Sequence, residues 1–296
     1  MGLAGDPHLA TLIELARQED LGSGDLSAAL LSDPNEPASF RLISRAAGVF
    51  AGREVAPAVL RAYHPLIEIH WTDLGRDGAR LDGSGVELAS LRGPLGALLS
   101  AERVLLNFLQ RLSGIATLTR RYVEAVASTS AGVYDTRKTT PGWRGLEKYA
   151  VRCGGGRNHR MGLYDGVLIK DNYLAGVPPS RLAATVFEML NRLSAMGSRP
   201  PFVEVEADNL PQVEALLSVV GVDVILLDNF PLEDHRQAVA LRDSHGLRGK
   251  VELEASGGVT LETVRDIAET GVDRISVGRL THSAAALDLS MERTAC

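Results

Sequence analysis

Arg137, Lys138, Arg160 and Lys170, joined by His159, crowd into one short stretch of the chain. Arginine presents a planar fork that matches a carboxylate or phosphate with two parallel hydrogen bonds. Gathered cations repel one another unless anions bind among them. Any one of these side chains, taken alone, is as readily a solvated surface charge. Together, in a chain of net charge −6, they point to a small anionic molecule held in a pocket. The same acidic total excludes an extended nucleic-acid surface. His159 lies between Asn158 and Arg160 in a glycine-rich run, Cys153-Gly154-Gly155-Gly156-Arg157, and is expected to face the ligand as a donor.

Carboxylates form the second group. Glu204 and Glu206 share a strand face because side chains alternate along a strand; Asp228 ends the next strand. Beside an anionic ligand, Glu206 and Asp228 could hold Mg²⁺ and sugar hydroxyls, or stabilise a cationic transition state. They could equally pair with neighbouring Arg and Lys to keep a rim neutral. Ser256-Gly257-Gly258 and Gly278 form the third group. Glycines at a strand end before a helix can cradle phosphate with backbone N–H groups, although two glycines after a strand are also ordinary turn punctuation.

Something must carry these groups to one place. After Gly132, short apolar strands alternate with helical patterns: Val133–Arg137, Gly166–Lys170, Phe202–Glu206, Val222–Asp228, Val251–Ala255 and Arg274–Val277, with helices near 142–152, 180–196, 209–219, 232–245 and 260–270. Such alternation predicts parallel strands with helical crossovers. Nearly every strand ends in one of the residues above, including Thr136 beside Arg137, as expected for a barrel with its site at the C-terminal rim. Six strands are too few for a closed eight-stranded barrel, so an incomplete α/β barrel is expected. No GxGxxG follows the first strand, which disfavours a dinucleotide sheet. The first third reads as mixed α/β, with a helix over 7–19, strands at Phe40–Ile43 and Ile67–Trp71, loops over Leu74–Gly85, and a long helix from Leu95 broken at Ser113-Gly114.

Hydrophobic residues make up 45% of the 296 and charged residues 23%, a globular balance. No apolar run nears the roughly 20 residues of a membrane helix. The N-terminus lacks a secretory pattern, and Gly2 is followed by Asp6, not the Ser or Thr of a myristoylation start. A cytoplasmic protein is therefore expected. Cys153 and Cys296 belong to no CxxC pair, so neither a disulfide framework nor a zinc site is expected; Cys153 is read as a structural thiol.

The run Asp135-Thr136-Arg137-Lys138-Thr139-Thr140-Pro141-Gly142, then Leu146-Glu147-Lys148-Tyr149-Ala150-Val151, Asn158-His159-Arg160-Met161-Gly162-Leu163 and Leu168-Ile169-Lys170-Asp171-Asn172, resembles the quinolinate phosphoribosyltransferase family. Leu112–Thr117, Ser276–Gly278, Leu280–Ser283 and Glu19–Asp25 extend the likeness across nearly the whole chain. The resemblance implies formation of nicotinate mononucleotide, CO2 and pyrophosphate from quinolinate and phosphoribosyl pyrophosphate, with Mg²⁺. It implies an N-terminal α/β sandwich domain (1–112, with 283–296 packing back through a final helix) and a C-terminal incomplete barrel (113–282). It also implies a homodimer, or a multiple of it, with a shared active site. Arg103 would reach into the neighbour's site. Thr136, Arg137, Lys138, His159, Arg160 and Lys170 would contact quinolinate and sugar phosphates; Glu206 and Asp228 would face ribose and Mg²⁺; Ser256, Gly257, Gly258 and Gly278 would hold the 5′-phosphate. Lys138, Lys170, Glu206 and Asp228 are the expected catalytic residues. Tyr173, Arg279 and Ser27 depart from the usual pattern. Two other readings remain open on the sequence: a related phosphoribosyltransferase of the molybdenum-transport-associated type, and a barrel aldolase forming a Schiff base through Lys170.

Overall fold

The computed structural model describes residue 3, residues 8–197 and residues 200–294; Gly2, Asp6, Pro7 and Cys296 lie outside them. The described chain forms two compact units. The first contains residues 1–120, 139–156 and 280–296, the second residues 121–138 and 157–279.

In the first unit, α1 (Leu9–Leu21) precedes β1 (Pro37–Ser44), the two-residue β2 (Gly48–Val49), α2 (Ala56–Tyr63), β3 (Glu68–Trp71), β4 (Arg80–Leu81) and β5 (Val86–Pro94). β1 alternates in burial, with Ala38, Phe40 and Leu42 inside. β5 is central to an antiparallel sheet and pairs with both β1 and β3. A register shift at Leu42/Ile43 puts Leu88 and Ala89 both inside. That bulge removes the period-two signature by which β5 would be read from sequence.

α3 (Leu95–Ala125) runs through Ser113-Gly114 without the expected break. Gly114 serves packing instead: a Cβ there would lie 2.0 Å from the Ala285 carbonyl oxygen. Ser113 Oγ accepts the Ala51 N–H at 3.1 Å, and Thr117 Oγ1 accepts the Val49 N–H at 2.8 Å. Small and hydroxylic residues thus let neighbouring backbone approach the helix. The returning C-terminal segment is a strand rather than a final helix. It pairs antiparallel with β1 as the last strand of the sheet, Leu289–Arg293, after a short helix at Arg279–His282. Leu289 and Met291 are buried and alternate with Ser290 and Glu292, which is strand patterning. α4 (Arg144–Cys153) also belongs to this unit.

The second unit contains β6 (Gly132–Tyr134), β7 (Val167–Ile169), α5 (Leu182–Ala195), β8 (Val203–Ala207), α6 (Leu210–Leu217), β9 (Val224–Asp228), α7 (Leu232–Ser244), β10 (Glu252–Ser256), α8 (Val264–Ala268) and β11 (Arg274–Ser276). All six expected strands are present. They pair in parallel in the order β6-β11-β10-β9-β8-β7. That is the cyclic order of a barrel opened along one seam, between β6 and β7. Continuous apolar burial in β9 marks a strand covered on both faces. Crossover helices start on local signals: Asn209 accepts the Gln212 N–H at 3.1 Å to cap α6, and Glu233 and Asp234 occupy the first turn of α7. No helix among the described residues is long and apolar enough to cross a membrane.

Candidate active site

Six parallel strands deliver their C-terminal ends to one rim. Thr136, Arg137 and Lys138 follow β6, Lys170 follows β7, Glu206 lies near the end of β8, Asp228 ends β9, Ser256 ends β10, and Gly278 follows β11. Ser256 and Asp228 are register partners on adjacent strands. Arg137 and Lys138 are exposed, and Thr136 Oγ1 accepts the Lys138 N–H at 3.0 Å, which shapes the turn that carries both cations. Lys170 forms an ion pair with Glu206, whose Oε1 also accepts the Asp171 N–H at 3.5 Å. Asp228 is half-buried and accepts from Asn229 Nδ2 at 2.7 Å. Gly257 has φ +97° and Gly258 φ +58°, left-handed conformations that glycine adopts without steric cost. The pair therefore forms a tight loop that leaves room for a ligand to approach the backbone.

Arg160 and His159 reach the rim by another route. Arg157 pairs with Tyr134 along the open edge of β6 through an isolated parallel bridge. The Asp135 N–H donates to the Arg157 carbonyl at 3.0 Å, and the Arg157 N–H to that of Val133 at 2.8 Å. Buried Asp135 accepts the His159 N–H at 2.9 Å and Asn158 Nδ2 at 2.5 Å. Arg160 Nη1 donates to the Gly166 carbonyl at 3.1 Å, just before β7. Residues 157–160 therefore close the seam that six strands leave open. Burial lowers the Arg160 guanidinium from its ordinary value, and the neighbouring positive charge of Arg137 lowers it further. Both effects favour an anion beside it.

His159 is buried, and its ring nitrogens are turned into the protein. Nδ1 accepts the Arg160 N–H at 2.8 Å, a role open to a ring that carries its proton on Nε2. Nε2 lies 2.8 Å from Glu204 Oε2 and 3.6 Å from Glu254 Oε1. The Phe202 ring meets the imidazole edge-on, centroids 5.4 Å apart. The histidine is thus a plug in the seam more than a cation on the rim. Glu204 and Glu254 are fully buried. Burial pushes both carboxyls upward, and the charge of Glu204 raises Glu254 further. Arg274 approaches Glu254 at 3.9 Å, pairs with Glu252, and lies over the rings of Tyr134 (4.9 Å) and Phe202 (5.6 Å).

Asp135, Glu254 and Arg274 are not singled out as site residues by type and spacing. Period-two alternation places Glu254 on the same face as Ser256, and that is the signal that finds it. Arg103 lies exposed on α3 in the first unit. Burial, and then the charge of Asp77, pushes the Cys153 thiol up to about 12; it is a thiol at neutral pH.

Hard oxygen donors suit Mg²⁺, and Glu206 and Asp228 supply them. Asp171, Glu206 and Asp208 line one small cavity of about 170 Å³. Lys170 already occupies one oxygen of Glu206, which leaves Asp228 the freer donor of the two.

Residues 115–292 match the model of the quinolinate phosphoribosyl transferase C-terminal domain, and residues 25–113 that of the N-terminal domain. The chain is 41% identical over 281 residues to the nicotinate-nucleotide pyrophosphorylase [carboxylating] of Mycobacterium leprae, covering 95% of each. It is 39% identical over 278 residues to a probable enzyme of that name from Bacillus subtilis, covering 93% of this chain and 90% of the other. The structure of the nicotinate-nucleotide pyrophosphorylase from Francisella tularensis superposes with a TM-score of 0.87 at 34% identity, covering 98% of both chains. With both domain models matched in order, and with the rim residues on one sheet, the chain belongs to the quinolinate phosphoribosyltransferase family.

Proposed function

We propose that the protein converts quinolinate and phosphoribosyl pyrophosphate into nicotinate mononucleotide, CO2 and pyrophosphate, as a step of NAD biosynthesis. One observation carries this reading: Arg137, Lys138, Lys170, Glu206, Asp228, Ser256, Gly257, Gly258 and Gly278 share one rim, with Arg160 fixed in the seam beside them. Two multiply charged anions need such a place to meet.

Arg137, Arg160 and Lys170 hold the carboxylates of quinolinate; Lys138 faces the pyrophosphate. The Ser256–Gly258 loop and Gly278 take the 5′-phosphate on backbone N–H groups. Mg²⁺, when bound through Glu206 and Asp228, neutralises charge on the departing pyrophosphate. The pyridine nitrogen forms a bond to ribose C1 as the C1–O bond to pyrophosphate breaks, and the same carboxylates stabilise positive charge developing at C1. The ring nitrogen then carries positive charge. The adjacent C–carboxylate bond breaks, its electron pair stays on the ring carbon next to that nitrogen, CO2 leaves, and a proton takes its place. Positioning and electrostatics supply most of the rate.

The Lys170–Glu206 ion pair argues against the Schiff-base reading, since an ammonium has no lone pair to offer a carbonyl. Leu163, Tyr164, Tyr173 and Met196 stand exposed near β7, and Leu163, Tyr173 and Met196 line a groove of about 400 Å³ with Val167 and Leu193. Such a face favours cover by a second subunit. A cytoplasmic homodimer, or a multiple of it, whose exposed Arg103 enters the partner's site, completes the proposal. The test is quinolinate- and Mg²⁺-dependent CO2 release with the phosphoribosyl donor. Release requires quinolinate and is absent with nicotinate; turnover of nicotinate in its place refutes the reading.

A further inference from the structure

A parallel barrel core is ordinarily filled with branched apolar side chains. Here its interior beneath the rim contains Glu204, Glu254, Arg274 and the His159 ring. The donor and acceptor atoms of His159, Glu204 and Glu254 all lie within 4.8 Å of one another. The carboxylate oxygens of both glutamates are shut away from solvent; Nε2 of His159 lies 2.8 Å from Glu204 and 3.6 Å from Glu254, and Ser276 and Arg274 also bear on Glu254. Two buried carboxyl groups so placed are costly for the fold, and the sheet would be at least as stable with apolar side chains. Nε2 of His159 faces both of them, and the Arg274 guanidinium bears on both as well.

That ring is the hinge between interior and rim. On one side Nε2 turns to the two glutamates; on the other Nδ1 accepts the N–H of Arg160. Asp135 holds the His159 N–H from β6, and Phe202 limits ring rotation. Backbone bonds to β6 hold the seam at Arg157; beyond it, these side-chain contacts help set the backbone at residue 160.

We propose that Glu204 and Glu254 are positioning residues: Glu204, 2.8 Å from Nε2 of His159, takes its proton in a hydrogen bond, and Glu254, 3.6 Å away, adds its polar field; together they fix the neutral tautomer and ring plane, and thereby the backbone from which Arg160 reaches quinolinate. The proposal rests on the rim being the quinolinate site. It assigns a functional reason to two buried carboxyl groups that folding alone does not favour. Neither glutamate touches substrate; both act through His159. Glutamine at either position keeps an acceptor for Nε2–H, and leucine keeps bulk without one.

The test compares Glu254→Gln with Glu254→Leu, and Glu204→Gln with Glu204→Leu, in steady-state CO2 release and in thermal unfolding. For the leucine variants the loss of one buried acceptor predicts a rise of about ten-fold in KM for quinolinate, with KM for phosphoribosyl pyrophosphate within about two-fold of wild type. The glutamine variants retain a near-normal KM for quinolinate. A leucine variant with unchanged quinolinate KM, equal rises in both KM values, or glutamine variants as impaired as leucine ones would each overturn the proposal. Nitrogen-15 NMR of histidine-labelled wild-type protein keeps the idea testable should a leucine variant not fold. It shows a neutral Nε2–H ring for His159 at neutral pH; an Nδ1–H ring or an imidazolium refutes it. Wild-type protein that releases no CO2 from quinolinate refutes the proposed reaction instead, and leaves the NMR result to stand or fall separately.

Discussion

Lys170 and Glu206 close an ion pair across the C-terminal ends of neighbouring strands, with the lysine side chain 46% exposed and the glutamate 6%. The asymmetry decides what a substitution does. Removing the lysine strands a buried carboxylate, and removing the glutamate frees an exposed ammonium. Lys170→Met is therefore expected to lower stability by about 1–3 kcal/mol. The double variant Lys170→Met/Glu206→Gln recovers most of that loss and none of the turnover. Denaturant unfolding and CO2 release on the same samples check this; restored activity in the double variant would contradict it.

Lys138 and Arg160 separate catalysis from folding. Lys138 is exposed, so Lys138→Ala leaves unfolding within about 0.5 kcal/mol of wild type and lowers kcat by about 100-fold or more. Arg160 is 8% exposed and bonded to the Gly166 carbonyl. Arg160→Ala removes activity and also destabilises by about 1–3 kcal/mol. Circular dichroism melts beside kinetics distinguish the two variants.

Gly257→Ala probes the phosphate loop. Its φ is +97°, and a Cβ there would lie 2.1 Å from Asn229 Oδ1, while Asn229 itself holds φ 55°. The loop must shift, so KM for phosphoribosyl pyrophosphate rises by about ten-fold or more while quinolinate binding, measured alone by calorimetry, changes little. Equal loss of both ligands would show the loop to be general scaffolding.

His235 gives the fold a pH dependence remote from the rim. It is 2% exposed, and among the described residues neither ring nitrogen has a hydrogen bond of regular geometry. Burial lowers its pKa, partly offset by the charge of Asp234. The unfolded chain therefore binds the proton more readily than the folded one, so this contribution is complete above about pH 6.5 and is lost as pH falls below that value. His235→Leu is expected to flatten the fall in stability between about pH 7 and 5. Unfolding midpoints across that range are the measurement; an unchanged slope would dismiss the histidine.

The catalytic half was legible in sequence because its strands are short apolar runs ended by charged residues, and that pattern survives without knowledge of neighbours. Val203–Ala207 and Val224–Asp228 are such cases. What escaped depended on partners. β5 was hidden by a bulge that only β1 reveals. Gly114 is a helix breaker by type and a contact point by position. His159 was expected to present itself to ligand; the glutamates that turn its ring inward lie 45 and 95 residues away, and no local spacing announces them.

The strand at Leu289–Arg293 has a consequence for the order in which the protein is made. It forms the edge of the sheet begun by Pro37–Ser44, so that sheet waits for a segment synthesised after all six parallel strands. The six parallel strands in between need nothing beyond Arg279. Synthesis thus completes the parallel sheet before the antiparallel one, and a chain cut short before Leu289 has a first sheet with an empty edge.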